Sequence, residues 1–322
     1  MIQEFLKRLF FSVPRVPSKI QIEITNKCNL NCAMCPRGDF GLEYRDMDFG
    51  VLKKIAEKIP ANSEITLTGW GEPLLYPHIH EAIKLFKQKD CFVELTTNGT
   101  LLNGEMLKKL VSDGLDSISI SVDSFNELSD DDARHRGFFK KDEIINLISA
   151  RGQNKKPLVI LQPTLHKGKE NELLELIKSG KKLGADRINI VRLDKRFNKN
   201  LASLNAEQEF EFAKKIMALS DELNLRVDFL PFTAFTGIKR TLFIMLGRRL
   251  FCKDKPCPKF YDYLYITYSG KITPCCSLPK YEVGDLMTQS LEEIWNNENF
   301  KKFRKNSNLI CDGCEMLRLP EC

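Results

Sequence analysis

The strongest constraint on the fold of this chain is a regular alternation between short β-branched segments and longer amphipathic ones. Short apolar runs that are bounded by turn residues are typical of buried strands. Six runs of this kind occur before residue 195. They are IQIEIT at 20–25, EITLTG at 64–69, FVELTT at 92–97, DSISISV at 116–122, PLVILQP at 157–163 and RINIVRL at 187–193.

Helical segments follow these predicted strands. In one of them, Ile79, Ile83 and Phe86 have the spacing of a single helix face. The predicted helices cover 50–59, 79–89, 105–112, 142–150, 170–183 and about 206–223. Strand-then-helix units in succession predict a parallel sheet with right-handed crossovers. The predicted fold is therefore α/β, a partial (β/α)6 barrel, with ligand sites at the carboxyl ends of its strands.

The pattern changes near residue 231, where we place a boundary between a first domain, 1–230, and a second, 231–322. The segment YLYITYSGKITPCC predicts a β-hairpin that turns at Ser269 and Gly270. The segment SLEEIWNNENFKKFRKN predicts one helix, with Ser290 as its N-cap and Glu293 completing a capping box. The second domain is thus predicted to be a small hairpin-plus-helix unit.

Composition and charge narrow the classes of function. The chain has 322 residues, of which 43% are hydrophobic, and a formal net charge of +6. This composition argues against disorder, and so small a charge does not indicate a nucleic-acid partner. A basic excess at 231–259 suits either an anionic ligand or a solvated helix face. The apolar run at the N-terminus is too short for a signal sequence or a membrane span, which predicts a cytoplasmic protein.

Cysteine is frequent in this chain, and ten of its eleven cysteines fall into two groups. The first group comprises Cys28, Cys32 and Cys35, and the second comprises Cys252, Cys257, Cys275, Cys276, Cys311, Cys314 and Cys322. In a reducing compartment, cysteine groups of this kind favour metal binding over disulfides. Two metal centres are therefore the first hypothesis for the chemistry of this protein.

The first group lies in the loop CNLNCAMC, which directly follows the first predicted strand. Its C-x3-C-x2-C spacing differs from the paired C-x2-C of zinc sites and from the C-x2-C-x2-C of ferredoxins. A cube of four irons and four sulfides held by Cys28, Cys32 and Cys35 would leave one iron without a protein ligand. A small chelating cosubstrate can take that position.

Three cysteines with this spacing at such a strand end resemble the radical S-adenosylmethionine (SAM) superfamily. The resemblance implies that the methionyl nitrogen and carboxylate of SAM chelate the open iron of a [4Fe-4S] cluster. It implies that one electron, from a donor such as flavodoxin or ferredoxin, splits SAM into methionine and a 5′-deoxyadenosyl radical, which abstracts hydrogen from a substrate. It also places Met34 near the adenine, where an aromatic residue is more usual.

The segment GWGEP at 69–73 ends the second predicted strand. By themselves its glycines are also compatible with a plain tight turn. The segment matches the Gly-Glu-Pro motif that lies along the SAM amino group in this superfamily, with Trp70 in place of the commoner glycine. The resemblance implies that Gly69, Gly71, Glu72 and Pro73 bind SAM, with Glu72 or nearby carbonyls accepting from its ammonium group.

Other predicted strand ends offer polar side chains whose roles stay open. Asn98 ends the third strand in a segment that could be only a turn. Ser121 and Asp123 end the fourth strand, where members of the superfamily often contact the ribose of SAM. For Gln162 and Arg192, at the next two strand ends, a structural role is favoured, although the fork of Arg192 suits a carboxylate of SAM or substrate.

The second cysteine group has a recognisable spacing. The pattern C-x12-G-x4-C from Cys257 to Cys275, with Arg304 and a late C-x2-C pair, resembles the auxiliary-cluster extension called SPASM or, when shortened, twitch. The full form continues with further cysteines, whereas only one follows Cys314 here. Seven cysteines cannot fill two four-cysteine clusters. The resemblance therefore implies one auxiliary [4Fe-4S] cluster, held by Cys257, Cys275, Cys311 and Cys314.

Three cysteines are then spare, namely Cys252, Cys276 and Cys322. Three alternatives stay open at this point. Cys252 could replace Cys257 as a ligand, or Cys322 could close a second, open cluster with Cys252 and Cys276. A zinc ion with four thiolate ligands also suits two widely separated cysteine pairs.

Together these features predict a radical SAM enzyme that oxidises, cross-links or epimerises a small molecule or a peptide. An auxiliary cluster could accept an electron from a substrate radical, whereas Cys276 could donate a hydrogen atom or be an inert buried thiol. About 19 residues precede the first strand, too few for a leader-peptide-binding domain. Two other classes stay open: a non-catalytic iron-sulfur redox protein and a zinc-stabilised nucleic-acid-binding protein.

Overall fold

The computed structural model of the chain describes residues 13–125, 141–194, 196–197, 201–229, 257–312 and 314. These residues form two compact units. One unit contains 13–28, 40–96 and 257–312, and the other contains 29–39, the described residues between 97 and 229, and 314. Each unit therefore combines segments that are distant in sequence. The predicted boundary near residue 231 lies outside the described residues.

The described strands and helices alternate along the chain as the sequence pattern predicts. The strands are β1 (Lys19–Ile22), β2 (Glu64–Thr66), β3 (Phe92–Thr97), β4 (Ser117–Ile120), β5 (Leu158–Leu161), β6 (Thr164–Leu165), β7 (Arg187–Arg192), β8 (Arg226–Phe229), β9 (Tyr263–Ile266), β10 (Lys271–Thr273) and β11 (Gly284–Asp285). The helices are α1 (Phe49–Lys58), α2 (Ile79–Lys87), α3 (Gly104–Ser112), α4 (Lys141–Ala150), α5 (Glu170–Leu183), α6 (Ala206–Leu223), α7 (Leu291–Asn296) and α8 (Glu298–Ile310). None of these helices combines the length and the apolar composition needed to cross a bilayer.

In the first unit the strand order is β11-β10-β9-β1-β2-β3. The strands β9, β1, β2 and β3 are mutually parallel, whereas β10 and β11 run antiparallel to their neighbours. Gln21 of β1 faces Thr66 of β2 on one side and Tyr265 of β9 on the other. The hairpin from the C-terminal part of the chain therefore extends the sheet beside its first strand.

In the second unit the strands that pair are all parallel. β4 pairs with β5, and β5 pairs with β7. The short strand β6 pairs further along β7, with Thr164 opposite Val191. β8 also pairs with β7, with Asn189 opposite Asp228. This parallel arrangement confirms the predicted α/β class.

β3 and β7 each present one buried and one partly exposed face, whereas β4 is buried at all four positions. In β7, Ile188 and Ile190 are buried, whereas Arg187 and Asn189, which alternate with them, are half-buried. β3 has the same alternation. A parallel strand that is covered on both faces is usually apolar on both. The polar face is therefore the one that is accessible to ligands in each unit.

The predicted elements agree with most of the observed ones. β3, α5 and α6 have the predicted limits, and the hairpin turn at Gly270 is confirmed by its positive φ of 84°. The capping box of Ser290 is confirmed, but the prediction of one continuous helix after it is wrong. Asn297 ends α7 and caps α8 by accepting from the backbone N–H of Phe300. The strands β6, β8 and β11 are additional.

Candidate cofactor sites

The chain that enters the three-cysteine loop is fixed by polar side chains of the first unit. The Asn26 amide donates to the carbonyl of Glu43 at 2.8 Å and accepts from the backbone N–H of Arg45 at 2.6 Å. Thr25 donates to the Asp46 carboxylate at 2.7 Å. Buried polar groups must find partners, so these bonds restrict where the segment can lie. They hold the residues that directly precede Cys28.

The remainder of the loop, in the second unit, is also internally braced. The N–H of Cys35 donates to the carbonyl of Cys32 at 3.0 Å, which makes a tight turn between the second and third cysteines. The buried Arg37 guanidinium donates to the carbonyl of Leu30 at 2.9 Å. These two bonds give the loop a defined shape within this unit.

Asn98, at the end of β3, contacts this loop. Its amide donates to the side-chain oxygen of Asn29 at 2.9 Å, and its own oxygen accepts from the backbone N–H of Thr100 at 2.9 Å. The Asn29 amide in turn donates to the Thr100 hydroxyl at 2.8 Å. Asn98 therefore connects the end of its strand to the cysteine loop, while a direct contact with SAM stays a prediction.

The chemistry of the donor set fits an iron-sulfur cluster. The first-group residues Cys28, Cys32 and Cys35 are thiols and are half-buried, so their sulfurs combine partial access with partial shielding. Among the described residues no three Cys, His, Asp or Glu side chains are placed to share one metal ion. A four-iron cube separates its thiolate ligands more widely than a single ion does. Ligation by these three cysteines stays a prediction from their spacing.

The GWGEP segment packs directly against strand β1 and the residues after it. A Cβ on Gly69 would lie 2.3 Å from Cγ of Glu23, and a Cβ on Gly71 would lie 2.4 Å from the carbonyl oxygen of Lys27. The N–H of Glu72 donates to the same carbonyl at 2.8 Å. Glycine is therefore required at both positions by close approach. The turn lies against the chain that leads to Cys28.

Glu72 and Pro73 begin a short 3-10 helix, Pro73–Leu75. The Glu72 side chain is 2% exposed, and its Oε1 accepts from the N–H of Leu74 at 3.1 Å. This bond caps the helix, and Pro73 suits the first helical position because it has no N–H to satisfy. Acceptance of the SAM ammonium group by Glu72 or by nearby carbonyls stays a prediction.

Glu23 is a functional candidate that the sequence reasoning missed. It lies directly after β1, is 1% exposed, and its Oε1 accepts from the Tyr265 hydroxyl at 2.7 Å and from the N–H of Trp70 at 3.2 Å. Burial raises the pKa of this carboxyl above its ordinary value, while the hydrogen bonds from Tyr265, Trp70 and the Tyr268 backbone lower it in part. The sequence feature that could have identified Glu23 is an acidic residue between two isoleucines, Ile22 and Ile24, in a predicted strand.

Three of the C-terminal cysteines surround one tyrosine in the first unit. The Tyr263 hydroxyl donates to Oε1 of Gln21 at 2.6 Å. Burial raises the pKa of Tyr263 well above its ordinary value, and electrostatic interactions with Cys276, Cys275 and Cys257 raise it further. Cysteines on either side of the predicted hairpin therefore all influence a single hydroxyl.

Arg304 holds the segments that carry two further predicted ligands. Its guanidinium donates to the carbonyls of Phe260 at 3.1 Å and Trp295 at 3.0 Å. It lies 4.1 Å from the ring centroid of Trp295 and 4.3 Å from that of Phe300. Burial lowers its pKa to about 10. Arg304 therefore ties the turn after Cys257 to α8.

Cys311 and Cys314, the last two predicted ligands of the auxiliary cluster, belong to different units. Cys311 is buried and directly follows α8, where its N–H donates to the carbonyl of Ser307 at 2.9 Å. Cys314 is half-buried and belongs to the second unit. Cys252 and Cys322 lie outside the described residues. Ligation by Cys311 and Cys314 stays a prediction.

Two predicted ribose contacts have positions at the ends of the second unit's strands. Ser121 follows β4, and its N–H donates to the carbonyl of Thr97 at 2.9 Å. Asp123 accepts from the backbone N–H of Thr164 at 2.8 Å, so its carboxylate helps to shape the segment between β5 and β6. Met34 is half-buried in the same unit. Contacts of these residues with SAM stay predictions.

Gln162 and Arg192 have protein partners, as the favoured structural role requires. Gln162 accepts from the Asn189 amide at 3.0 Å. Arg192 is 4% exposed, and its fork donates to both oxygens of Glu209, at 3.1 Å and 2.6 Å. A bidentate pair of this kind satisfies the planar guanidinium. The placement argues against Arg192 as a ligand for a SAM or substrate carboxylate.

The fold and the site define a class of protein. A parallel α/β sheet, a three-cysteine loop after its first strand and a cysteine-bearing hairpin beside that strand belong to an enzyme with iron-sulfur cofactors. The family model of the radical SAM superfamily matches residues 22–190, more than half of the chain, so the chain belongs to the radical SAM superfamily. The SPASM model, an iron-sulfur cluster-binding domain, matches residues 257–315. The cofactors of this chain are SAM and [4Fe-4S] clusters.

Similar curated proteins cover most of the chain. The tungsten-containing aldehyde ferredoxin oxidoreductase cofactor-modifying protein of Pyrococcus furiosus is 26% identical over 309 residues, which are 88% of this chain and 82% of the relative. The AdoMet-dependent heme synthase of Methanosarcina barkeri is 24% identical, with coverage of 94% and 92%. The PqqA peptide cyclase of Gluconobacter oxydans is 22% identical, with coverage of 94% and 84%.

Solved structures support the same fold. SuiB of Streptococcus suis, bound to the precursor peptide SuiA, has a TM-score of 0.69 at 16% identity, with coverage of 100% of this chain and 74% of that chain. Native anSMEcpe with bound AdoMet and Cp18Cys peptide has a TM-score of 0.66 at 17% identity, with coverage of 94% and 87%. At these identities the likeness supports the fold alone.

Proposed function

We propose that this radical SAM enzyme oxidises or cross-links a peptide or a small molecule with the help of one auxiliary cluster. When bound and reduced, the SAM-binding [4Fe-4S] cluster supplies the electron that generates a 5′-deoxyadenosyl radical, which removes hydrogen from the substrate. Cys257, Cys275, Cys311 and Cys314 would hold the auxiliary cluster, which would supply a one-electron acceptor for the substrate radical. The substrate would then lose one hydrogen atom to the 5′-deoxyadenosyl radical, one electron to this acceptor and one proton to solvent, a net loss of two hydrogens.

The observation that carries this proposal is the grouping of three C-terminal cysteines around Tyr263. Cys257, Cys275 and Cys276 all contribute to the raised pKa of its hydroxyl, although Cys257 and Cys275 lie on opposite sides of the β9–β10 hairpin in the sequence. A group of half-buried cysteines near a residue of β9, the strand that pairs with β1, supports a second redox centre. It does not suit a protein whose iron-sulfur chemistry ends at its N-terminal loop.

A polar surface in the second unit supports an anionic group on the substrate. Arg187 and Arg226 both contact Asp228, at 3.3 Å and 3.1 Å. Two cations therefore share one carboxylate on the partly exposed strand face that also carries Asn189. The excess positive charge favours a carboxylate or phosphate on a bound molecule. Both a peptide and a small metabolite can supply such a group.

The similar proteins support both classes of substrate. The PqqA cyclase is named for a peptide, and SuiB is described with a precursor peptide. The Pyrococcus furiosus protein is named for modifying a cofactor. We propose further that flavodoxin or ferredoxin supplies the electron and that the enzyme works in the cytoplasm. The proposal of an electron donor is supported by the reaction's need for one electron to cleave SAM.

A second candidate reaction is epimerisation, in which Cys276 returns a hydrogen atom to the substrate radical and the resulting thiyl radical is reduced to the thiol by one electron from the auxiliary cluster and one proton from solvent. The position of Cys276 beside Tyr263 and next to the proposed ligand Cys275 favours this candidate. The two reactions leave different products. Oxidation or cross-linking lowers the mass by two hydrogens, whereas epimerisation in D2O adds one solvent deuterium.

Anaerobic reconstitution tests the proposal. We expect about eight iron atoms per chain and SAM cleavage to 5′-deoxyadenosine that depends on dithionite. Combined replacement of Cys28, Cys32 and Cys35 by Ala should abolish cleavage, whereas Cys275→Ala should retain some cleavage and stop product formation. Cleavage by the triple variant would refute the first site, and normal product from Cys275→Ala would refute the auxiliary role. Zinc in place of iron would favour the zinc-stabilised alternative.

Candidate substrates are then compared by mass spectrometry. Loss of two hydrogens supports oxidation or cross-linking. Uptake of deuterium that disappears in Cys276→Ala supports epimerisation instead. Iron incorporation without any SAM cleavage would identify a non-catalytic redox protein.

A further inference from the structure

Strand β1 is followed by a buried acid that has no place in the proposed reaction. Glu23 is 1% exposed and lies between Ile22 and Ile24, both fully buried. Burial of a carboxyl group is costly unless hydrogen bonds compensate for the lost water. A position of this kind therefore indicates that the carboxyl has a specific task.

The task is indicated by what one oxygen of Glu23 contacts. Oε1 accepts from the Tyr265 hydroxyl at 2.7 Å and from the backbone N–H of Trp70 at 3.2 Å. Tyr265 lies on β9, opposite Gln21 of β1, and Trp70 is the second residue of the GWGEP turn. A single carboxyl oxygen thus joins the first strand, the turn and the C-terminal hairpin within the first unit.

The contact between Glu23 and the turn is also steric. A Cβ on Gly69 would lie 2.3 Å from Cγ and 2.7 Å from Oε1 of Glu23, so the side chain lies directly against the turn. The other half of the turn is held by Gly71, whose Cβ would lie 2.6 Å from the carbonyl oxygen of Thr25. The backbone of the turn is therefore held at both ends from the side of β1.

We propose that Glu23 is a positioning residue for SAM, which fixes the Gly69–Gly71 turn in its binding conformation, and that Tyr265 holds Glu23 in place. The inference rests on the assignment of this turn to SAM binding. Glu23 acts through the turn and does not touch the cofactor. Its role is geometric, because Oε1 accepts hydrogen bonds from both the turn and the hairpin.

The test measures the Kd for SAM by equilibrium dialysis on the anaerobically reconstituted enzyme. We expect Glu23→Leu to weaken binding by about tenfold or more, because the turn loses its acceptor, and Tyr265→Phe by about threefold. Glu23→Gln keeps an acceptor at Oε1 and should bind within about twofold of the parent. Adding Tyr265→Phe to Glu23→Leu should cause no further loss, since Tyr265 acts through Glu23.

A matched control removes a comparable bond elsewhere in the same unit. The Tyr76 hydroxyl is buried and donates to the carbonyl of Met47 at 3.0 Å, so Tyr76→Phe should lower the Tm without changing the Kd for SAM. Parent-like SAM affinity in both Glu23→Leu and Tyr265→Phe would overturn the inference. Should Glu23→Leu fail to fold, Tyr265→Phe decides alone. Absence of SAM binding by the parent enzyme would instead contradict the function assigned to the whole site.

Discussion

The indole N–H of Trp70 donates a 2.9 Å hydrogen bond to the carbonyl oxygen of Cys276. Trp70 belongs to the turn that matches the SAM-binding motif, and Cys276 adjoins the proposed auxiliary ligand Cys275. The Trp70 ring also contacts Phe40, with the ring centroids 5.1 Å apart. Trp70 therefore links the GWGEP turn to the segment that carries Cys275, a proposed ligand of the auxiliary cluster.

The first prediction concerns this bond. Trp70→Phe keeps an aromatic ring against Phe40 but removes the only donor of the indole. We expect the free energy of unfolding to fall by about 1 kcal/mol and the EPR line shape of the auxiliary cluster to change. EPR should be recorded with Cys28, Cys32 and Cys35 replaced by Ala, so that one cluster contributes. Tyr76→Phe in the same background is the control, and an identical spectrum in both variants would contradict the prediction.

The second prediction concerns close packing at Gly71. An added Cβ would lie 2.4 Å from the carbonyl oxygen of Lys27, and backbone cannot move aside as a flexible side chain can. We expect Gly71→Ala to cost about 3 kcal/mol of unfolding free energy and to abolish measurable SAM binding. Gly104→Ala is the matched control, because its Cβ meets nothing within 4 Å and it begins α3. The control should be neutral or slightly stabilising.

Local sequence signals predicted much of the fold. The limits of α5 and α6 follow from helical periodicity, and the Ser290 capping box follows from two residues three apart. The sequence predicts one helix through Asn297 because no Gly or Pro interrupts the segment from 291 to 306. Pairing of β9 with β1 joins segments more than 240 residues apart, as in the contact of Tyr265 with Glu23, and no local pattern encodes it.

The sequence also predicted part of the candidate site, namely its cofactors, but not the partners of its buried side chains. The cysteine spacing indicated a cluster with an open iron position, and the resemblance to the radical SAM superfamily implied SAM and the auxiliary cluster. The partner of Arg192 was not predictable, because Glu209 lies on a helix that packs against the strand only in the folded chain. Glu23 was missed for the same reason. Its role depends on a turn and a strand that the sequence places far away.

The third prediction uses the titration of Glu23. Burial raises the pKa of this carboxyl in the folded protein above its ordinary value of 4.5. Its protonated form therefore stabilises the fold at pH below that ordinary value, and the contribution is lost as the pH rises through the folded pKa. Glu23→Gln does not titrate, so the stability of the parent relative to this variant should fall with rising pH. Thermal unfolding from about pH 5 to about pH 8 measures the difference, and a constant difference would contradict the prediction.

The fourth prediction separates a structural from a binding role for Arg192. Glu209→Gln removes the negative charge that the buried guanidinium contacts in a bidentate pair, which should cost about 3 kcal/mol of unfolding free energy. The Kd for SAM should stay within about twofold of the parent. Glu211→Gln on the same helix breaks only an exposed pair with Lys214 and should change stability by less than about 0.5 kcal/mol. Weaker SAM binding at unchanged stability would restore a cofactor role for Arg192.

The last prediction concerns the frame of the auxiliary cluster. Arg304 donates to the carbonyls of Phe260 and Trp295 and lies over the two adjoining rings of Trp295 and Phe300, an arrangement that suits a planar group. Lysine keeps the charge but neither the fork nor the stacking, so we expect Arg304→Lys to lose about 2 kcal/mol of stability. Because Arg304 links the turn after Cys257 to the helix before Cys311, the iron content should fall from about eight towards about four atoms per chain.

SAM cleavage to 5′-deoxyadenosine should persist in Arg304→Lys, since the three-cysteine loop does not depend on this side chain. The matched control is Arg15→Lys, because Arg15 forms an exposed pair with Glu292 in the same unit. That substitution should change stability by less than about 0.5 kcal/mol and leave the iron content unaltered. Full iron retention and unchanged auxiliary EPR in Arg304→Lys would contradict the prediction, because the cluster would then be held without the guanidinium fork and its stacking.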